Sequence, residues 1–140
     1  GDGPERLKAM ETCEKLGIES KVKFLGKSNQ VYQILCYSDL FVLPSASESF
    51  GLAALEAMMM RVPVISTNVG GLPEVNIDGE SGYLFDLGDV EGMAQKSIAL
   101  LNDEQKLESM KDNALTLAKR FDIEAVVNQY IAVYQAALGQ

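Results

Sequence analysis

The chain has 140 residues, of which 47% are hydrophobic and 23% charged, values that are ordinary for one folded domain. Its net charge of −8, with 12 basic residues scattered among 20 acidic ones, argues against a nucleic-acid partner, because phosphate backbones are bound by clustered Lys and Arg. The chain contains no histidine, which excludes Ser-His-Asp chemistry and histidine-based metal sites.

No apolar run approaches the ~20 residues that cross a bilayer, and no N-terminal stretch has the pattern of a secretion signal, so we expect a cytoplasmic protein. Cys13 and Cys36 fall on predicted helices beside apolar neighbours, which favours buried, reduced thiols over a disulfide or redox pair. The chain begins Gly1-Asp2-Gly3-Pro4 without an initiating Met, and we interpret it as part of a longer domain.

Short apolar runs alternate with helical patterns, which is typical of β/α units around a parallel sheet. In chain order, the patterns predict helix 5–16, strand 22–26, helix 29–37, strand 40–43, helix 50–60, strand 62–67, a short helix 72–76, strand 82–85, and helices 89–101, 103–120 and 123–138. The last helix carries an apolar stripe that must pack on something. The predicted fold class is α/β.

Residues 45–56, with the sequence SASESFGLAALE, are the most informative stretch. They leave the C-terminal end of a predicted strand, where ligands bind in open α/β sheets, and enter a helix. The amides of residues 49–52 are expected to be free first-turn donors at the positive end of the helix dipole. Gly51 has no Cβ and lets a ligand approach the backbone. This arrangement predicts a diphosphate cradle.

Two carboxylates bracket this cradle. Glu48 lies just before the predicted helix, and Glu56 lies about two turns inside it, roughly 9 Å along the axis from the helix start. A carboxylate can accept two hydroxyl hydrogen bonds, as a sugar or ribose requires. The alternative is that Glu48 only complements the helix dipole and Glu56 is only a solvated helix residue.

The spacing of Glu48, seven residues and Glu56 resembles the E-x7-E motif of family-4 glycosyltransferases with the GT-B fold. Other motifs of that family follow in its order: GDGP at 1–4, VKFLG at 22–26, SDL to PS at 38–45, LEAM at 55–58, VPVI at 62–65, GGLPE at 70–74 and GESGYL at 79–84. The resemblance covers about 120 of the 140 residues. It implies that residues 1–140 are part of the C-terminal, nucleotide-sugar-binding domain, a Rossmann-like parallel sheet, with helix 123–138 at its end.

The resemblance also implies a role for each matched residue. Glu56 is expected to accept hydrogen bonds from the nucleotide ribose, and the Leu52 amide to face the diphosphate. Glu48 is the implied catalytic carboxylate. The remaining implied donor contacts are Glu48, Phe50 and Gly51 with the sugar hydroxyls, Gly26, Lys27 and Ser28 along the base edge, and Gly1 to Gly3 beside the diphosphate.

Within the family, the segments ESFGL, FLGK and GGLPEV look closest to the bacillithiol-pathway enzymes, which join N-acetylglucosamine from UDP to L-malate. Sucrose- and mannose-directed relatives share much of this motif set. The family reaction retains the anomeric configuration, and its donor phosphate helps to deprotonate the acceptor. The resemblance therefore implies a UDP-sugar donor with no metal or other cofactor.

The family domain has six parallel strands in the order 3-2-1-4-5-6, and this chain begins after the second. The two missing strands carry the Arg and Lys that neutralise the diphosphate, and the N-terminal acceptor domain is missing too. Lys27 and Arg61 do not match those positions, and we interpret them as surface residues. We expect an inactive fragment that closes its sheet in a new order or associates with a second copy through open edges. The final helix, which in the family packs on the N-terminal domain, would then fold back or bind a neighbour.

The sequence has three alternative interpretations. A non-catalytic binding or assembly module derived from such a domain would also bind nucleotide, and turnover separates it from an enzyme. A response-regulator receiver needs a phosphoacceptor Asp at a strand end, where this chain has Gly26, Pro44-Ser45 and Thr67. Sugar-nucleotide epimerases of the same architecture use other acids and commonly histidines.

Overall fold

The computed structural model describes residues 2–139, apart from the side chain of residue 125. The chain forms two compact units, the first ending at Val31 and the second beginning at Tyr32. Among the described residues, no helix has the length and apolarity needed to cross a membrane.

The first unit is built on helix α1, Arg6–Leu16. Gly17 ends it in the left-handed conformation with φ 64°, and the amide of Gly17 donates to the carbonyl of Glu14. A 3₁₀ turn follows at Glu19–Lys21. The predicted strand 22–26 is wrong, because these residues join no strand. Their apolar pattern is a strand pattern, but a strand also requires a neighbouring ladder, and none of the described residues pairs with this segment.

Helix α2, Val31–Cys36, precedes a parallel sheet of three strands. The strands are β1, Phe41–Leu43, β2, Val64–Thr67, and β3, Gly82–Phe85. Their spatial order is β1-β2-β3, with Val42 paired to Ile65 and Ile65 paired to Tyr83. The order follows the chain, so these three strands do not adopt the new order that we considered from the sequence.

Five helices complete the second unit: α3, Leu52–Met59, α4, Leu72–Val75, α5, Val90–Leu101, α6, Glu104–Ala118, and α7, Ile123–Ala137. Aspartates begin the last three. The side chains of Asp89, Asp103 and Asp122 accept hydrogen bonds from first-turn amides, which is the usual N-cap contact. These caps account for the accuracy with which the starts of the three helices are predicted from the sequence.

The central strand β2 is buried on both faces. The continuous apolar run 40–43 predicts that β1 is covered on both faces too, and this is wrong: Val42 is 47% exposed, because the described residues leave its face of the strand partly open. Val64 faces one cluster that includes Met58, Leu72 and Leu117. Ile65 faces a second cluster that includes Tyr83, Met93, Leu100 and Met110. The alternation of neighbouring residues between the two clusters places core on each side of the sheet.

The two cysteines differ in environment. Cys13 is buried, as expected, and both thiols are free. The expectation that Cys36 is buried is wrong: it is exposed at the end of α2, with its Sγ 3.6 Å from Sδ of Met60. A six-residue helix has one face to bury, and Leu35 occupies that face.

An ion-pair network ties the end of α3 to α6. Arg61 contacts Asp112 at 2.7 Å and Glu108 at 3.2 Å. Lys111 contacts Glu108 at 2.9 Å and Asp39 at 3.1 Å. The hydrogen bond from Lys111 lowers the pKa of the Glu108 carboxyl below its usual value. Arg61 is therefore engaged with acids on the surface, in keeping with its interpretation as a surface residue.

Candidate functional site

The candidate site lies where the chain passes from β1 into α3. The hydroxyl of Thr67, at the end of β2, donates to the carbonyl of Ser45 at 2.6 Å and holds the start of this loop. The helix begins at Leu52, two residues later than predicted, because Gly51 has φ 99° and cannot continue a right-handed helix. Phe50 and Gly51 therefore belong to the loop and not to the helix.

The start of α3 has free amide donors. In the part of the chain that the structure describes, no side chain caps this helix, and no backbone carbonyl accepts a hydrogen bond from the amide of Leu52. The Leu52 side chain is 65% exposed, so solvent reaches this position. An uncapped, solvent-accessible helix start carries positive partial charge and suits an anionic group.

The two acids take different positions around this helix start. Glu56 lies one helical turn after Leu52, about 6 Å along the axis and not the 9 Å expected from a longer helix. Residues four apart share a helix face, so Glu56 and Leu52 lie on the same side of α3. The hydroxyl of Tyr32 lies 3.5 Å from Oε1 of Glu56. Glu48 is half-buried in the loop, and its Oε1 accepts a hydrogen bond from the amide of Ser49 at 3.1 Å, so the expectation that the Ser49 amide is free is wrong.

The loop that carries Glu48 rests on the turn after β2. The amide of Gly71 donates to the carbonyl of Glu48 at 3.3 Å. The ring of Phe50 packs edge to face on Phe121, with 5.7 Å between ring centroids. The sequence predicts a turn at residues 70–71 within a family motif, but it does not place Tyr32 or Phe121 here, since contacts between distant segments leave no local pattern.

The other predicted donor residues belong to the first unit. Gly26 has φ 66°, and a Cβ on it would lie 3.2 Å from Oδ1 of Asp2, so the segment before α1 and the 26–28 segment lie together. Lys27 is exposed, and Oγ of Ser28 accepts a hydrogen bond from the amide of Gln30 at 3.0 Å. Gly3 is exposed, and its carbonyl accepts from the amide of Arg6. Gly1 lies outside the described residues.

An open groove runs along α7 beside the loop. Its volume is about 520 Å³, and it is lined by Phe50, Glu74, Phe121, Val126, Gln129, Tyr130 and Val133. Tyr130 and Val133 are more than half exposed. The apolar stripe predicted for the last helix therefore reaches solvent within the described structure. Within residues 2–139, no group of three or more Cys, Asp or Glu side chains could hold a metal ion.

A three-stranded parallel sheet with helices on both faces is an α/β fold, and a family model identifies the class of protein that carries it here. The model, described as glycosyl transferases group 1, matches residues 1–116, and the chain belongs to this family. The family resemblance read from the motifs is thereby confirmed, as is the Rossmann-like parallel sheet at the level of fold.

Individual relatives narrow the comparison. The chain is 44% identical over 139 residues to the N-acetyl-α-D-glucosaminyl L-malate synthase of Bacillus anthracis, covering 99% of this chain and 36% of that protein. It is 36% identical to the D-inositol 3-phosphate glycosyltransferase of Corynebacterium urealyticum, covering 97% and 33%. The chain thus spans roughly a third of the length of the curated relatives that it matches.

A solved structure of another protein superimposes on this chain. The Anabaena protein HepE in complex with UDP superimposes with a TM-score of 0.84 at 32% identity, over 94% of this chain and 36% of that chain. The same protein was also solved with UDP-glucose, and that structure superimposes with a TM-score of 0.82.

Proposed function

We propose that this chain is the donor-binding part of a retaining glycosyltransferase that uses UDP-N-acetylglucosamine and a small acceptor such as L-malate. The observation that carries the proposal is the uncapped start of α3, where the amide of Leu52 is free and Glu56 lies on the same helix face as Leu52. The similarity to the Bacillus anthracis synthase supports this choice of donor and acceptor. The UDP and UDP-glucose complexes of the Anabaena relative support a uridine nucleotide.

In this proposal each part of the α3 start meets a different part of the donor. The amide of Leu52 donates to the diphosphate, and the helix dipole stabilises its charge. The Glu56 carboxylate accepts hydrogen bonds from the ribose hydroxyls, while the hydroxyl of Tyr32 helps to orient it. Glu48, Phe50 and Gly51 hold the sugar hydroxyls, with Glu48 as the catalytic carboxylate in contact with the reacting sugar.

The family resemblance supplies the remaining roles in this proposal. It assigns the base-edge contacts to the backbone of Gly26, Lys27 and Ser28, and contacts with the diphosphate to Gly1 and Gly3. The donor phosphate takes the acceptor proton, so the reaction needs neither a metal nor a histidine base. The assignment of residues 1–140 to a single partial domain, ending in helix 123–138, belongs to the same proposal.

The acceptor site belongs to a separate domain in this proposal. The relatives are about three times as long as this chain, which leaves room for such a domain. We therefore expect the 140-residue chain to bind donor without turning it over. The alternative is a binding or assembly module derived from such a domain, which predicts no turnover even when an acceptor domain is supplied. A transferase assay on this chain together with an acceptor domain separates the two hypotheses.

Isothermal titration with UDP and 2′-deoxy-UDP tests the ribose contact. We expect the wild-type chain to prefer UDP by about tenfold to a hundredfold, because a hydrogen bond to a charged group contributes about 1.5–3 kcal/mol and about 1.4 kcal/mol is a factor of ten. Glu56→Gln should weaken UDP binding and remove most of the preference for UDP over 2′-deoxy-UDP. Glu104→Gln, an exposed glutamate at the start of α6, is the matched control and should change neither value.

Two outcomes of these titrations would contradict different parts of the proposal. A wild-type chain that binds neither nucleotide would refute the proposed function. A Glu56→Gln variant that keeps the full preference for UDP would remove Glu56 from the ribose site.

A further inference from the structure

Two consecutive glycines touch the backbone of the loop that carries Glu48. A Cβ on Gly70 would lie 1.6 Å from the carbonyl oxygen of Glu48. A Cβ on Gly71 would lie 2.6 Å from the carbonyl oxygen of Ser49 and 2.8 Å from Cα of Phe50. Cβ atoms do not approach other atoms within 3.0 Å, so only glycine fits at either position without displacing the loop.

The contact continues into the next residue. A Cβ on Gly51 would lie 2.8 Å from Cδ2 of Leu72, which is fully buried. The expectation that the missing Cβ leaves room for a ligand is therefore wrong, because Leu72 fills that space. The segment 70–72 thus lies directly against the segment 48–51, and the 3.3 Å hydrogen bond from Gly71 to the Glu48 carbonyl joins them. The close approach sets where the Glu48 side chain and the first amides of α3 stand relative to the sheet.

We propose that Gly70 and Gly71 are positioning residues for donor binding. Because they lack a Cβ, the loop 48–51 packs directly against them, and this packing places Glu48 and the Leu52 amide where they contact the donor. This inference rests on the proposed function. The glycine pair contacts the backbone of the loop, so its effect passes through the loop. Ordinary contact begins at 3.4 Å, so a Cβ on Gly71 would push the Ser49 carbonyl outward by about 0.8 Å. Misplacement on the order of 1 Å can cost about a hundredfold in rate at a reacting centre.

Gly71→Ala is the informative variant, because Gly71 has φ −82°, a value that alanine adopts without backbone strain. Its effect therefore comes from the added Cβ alone. Gly79→Ala is the first control: Gly79 has φ 75° and open space around its Cβ position, so the substitution adds backbone strain without pushing on the loop. Leu107→Ala is the second control, because it removes a buried side chain from the other face of the sheet and lowers stability without touching the loop.

The three variants are compared by amide NMR spectra of the ligand-free chain, urea unfolding, and titration with UDP-N-acetylglucosamine. We expect Gly71→Ala to shift the amide resonances of residues 49–52 and to weaken donor binding about tenfold or more. Gly79→Ala should leave both unchanged. Leu107→Ala should lower the midpoint of unfolding while the folded protein keeps its affinity.

Unchanged resonances for residues 49–52 in Gly71→Ala would overturn the inference, as would an equal loss of affinity in Leu107→Ala. A wild-type chain that binds no UDP-N-acetylglucosamine would refute the proposed function instead. In that case the ligand-free resonances still decide whether the glycine pair positions the loop.

Discussion

Replacement of Leu72 by alanine tests whether the core supports the start of α3. Leu72 is fully buried, packs in the cluster with Met58 and Val64, and lies against Gly51. The substitution removes three carbons, which at about 0.8 kcal/mol each is about 2.4 kcal/mol of transfer free energy. A cavity remains beneath the loop and adds to this cost, so we expect the free energy of unfolding to fall by about 3 kcal/mol or more.

Equilibrium urea denaturation followed by far-UV circular dichroism measures this loss, as a lower midpoint at an unchanged m-value. Leu87→Ala is the control, because Leu87 is 59% exposed and should cost less than about 0.5 kcal/mol. A loss below about 1 kcal/mol for Leu72→Ala would refute the packing argument. The same result would weaken the case that segment 70–72 supports the donor loop.

Two further predictions concern acid stability and association. Since the hydrogen bond from Lys111 lowers the pKa of Glu108 below 4.5, the resulting stabilisation is complete above pH 4.5 and is lost as the pH falls through the lower folded value. Glu108→Gln should therefore flatten the fall in unfolding free energy below pH 4.5 in urea titrations, and an unaltered slope would contradict this. We also propose that the chain self-associates through the exposed apolar face of α7, and Tyr130→Asp should dissociate it in size-exclusion chromatography. Elution of the wild-type chain as a compact monomer at every concentration would contradict that proposal.

Much of the fold follows from local pattern. Gly17 and the three aspartate caps mark helix ends, because their contacts lie within one turn of the chain. The apolar runs 40–43 and 62–65, set between helical patterns, predict β1 and β2 as strands of a parallel sheet, although only β2 is covered on both faces. The E-x7-E spacing of Glu48 and Glu56, together with the order of the other motifs between residues 1 and 84, predicts the family, which the family model confirms.

The candidate site depends on the local sequence and on the tertiary structure. The amino-acid sequence by itself determined that a glycine-bearing helix start stands between two acids, since that arrangement needs only neighbouring residues. The tertiary structure alone decided that α3 begins at Leu52, that segment 22–26 pairs with no strand, and that the loop rests on Gly70 and Gly71. Each of these features depends on which distant segments of the described chain contact each other. Hydrophobic periodicity does not indicate such contacts.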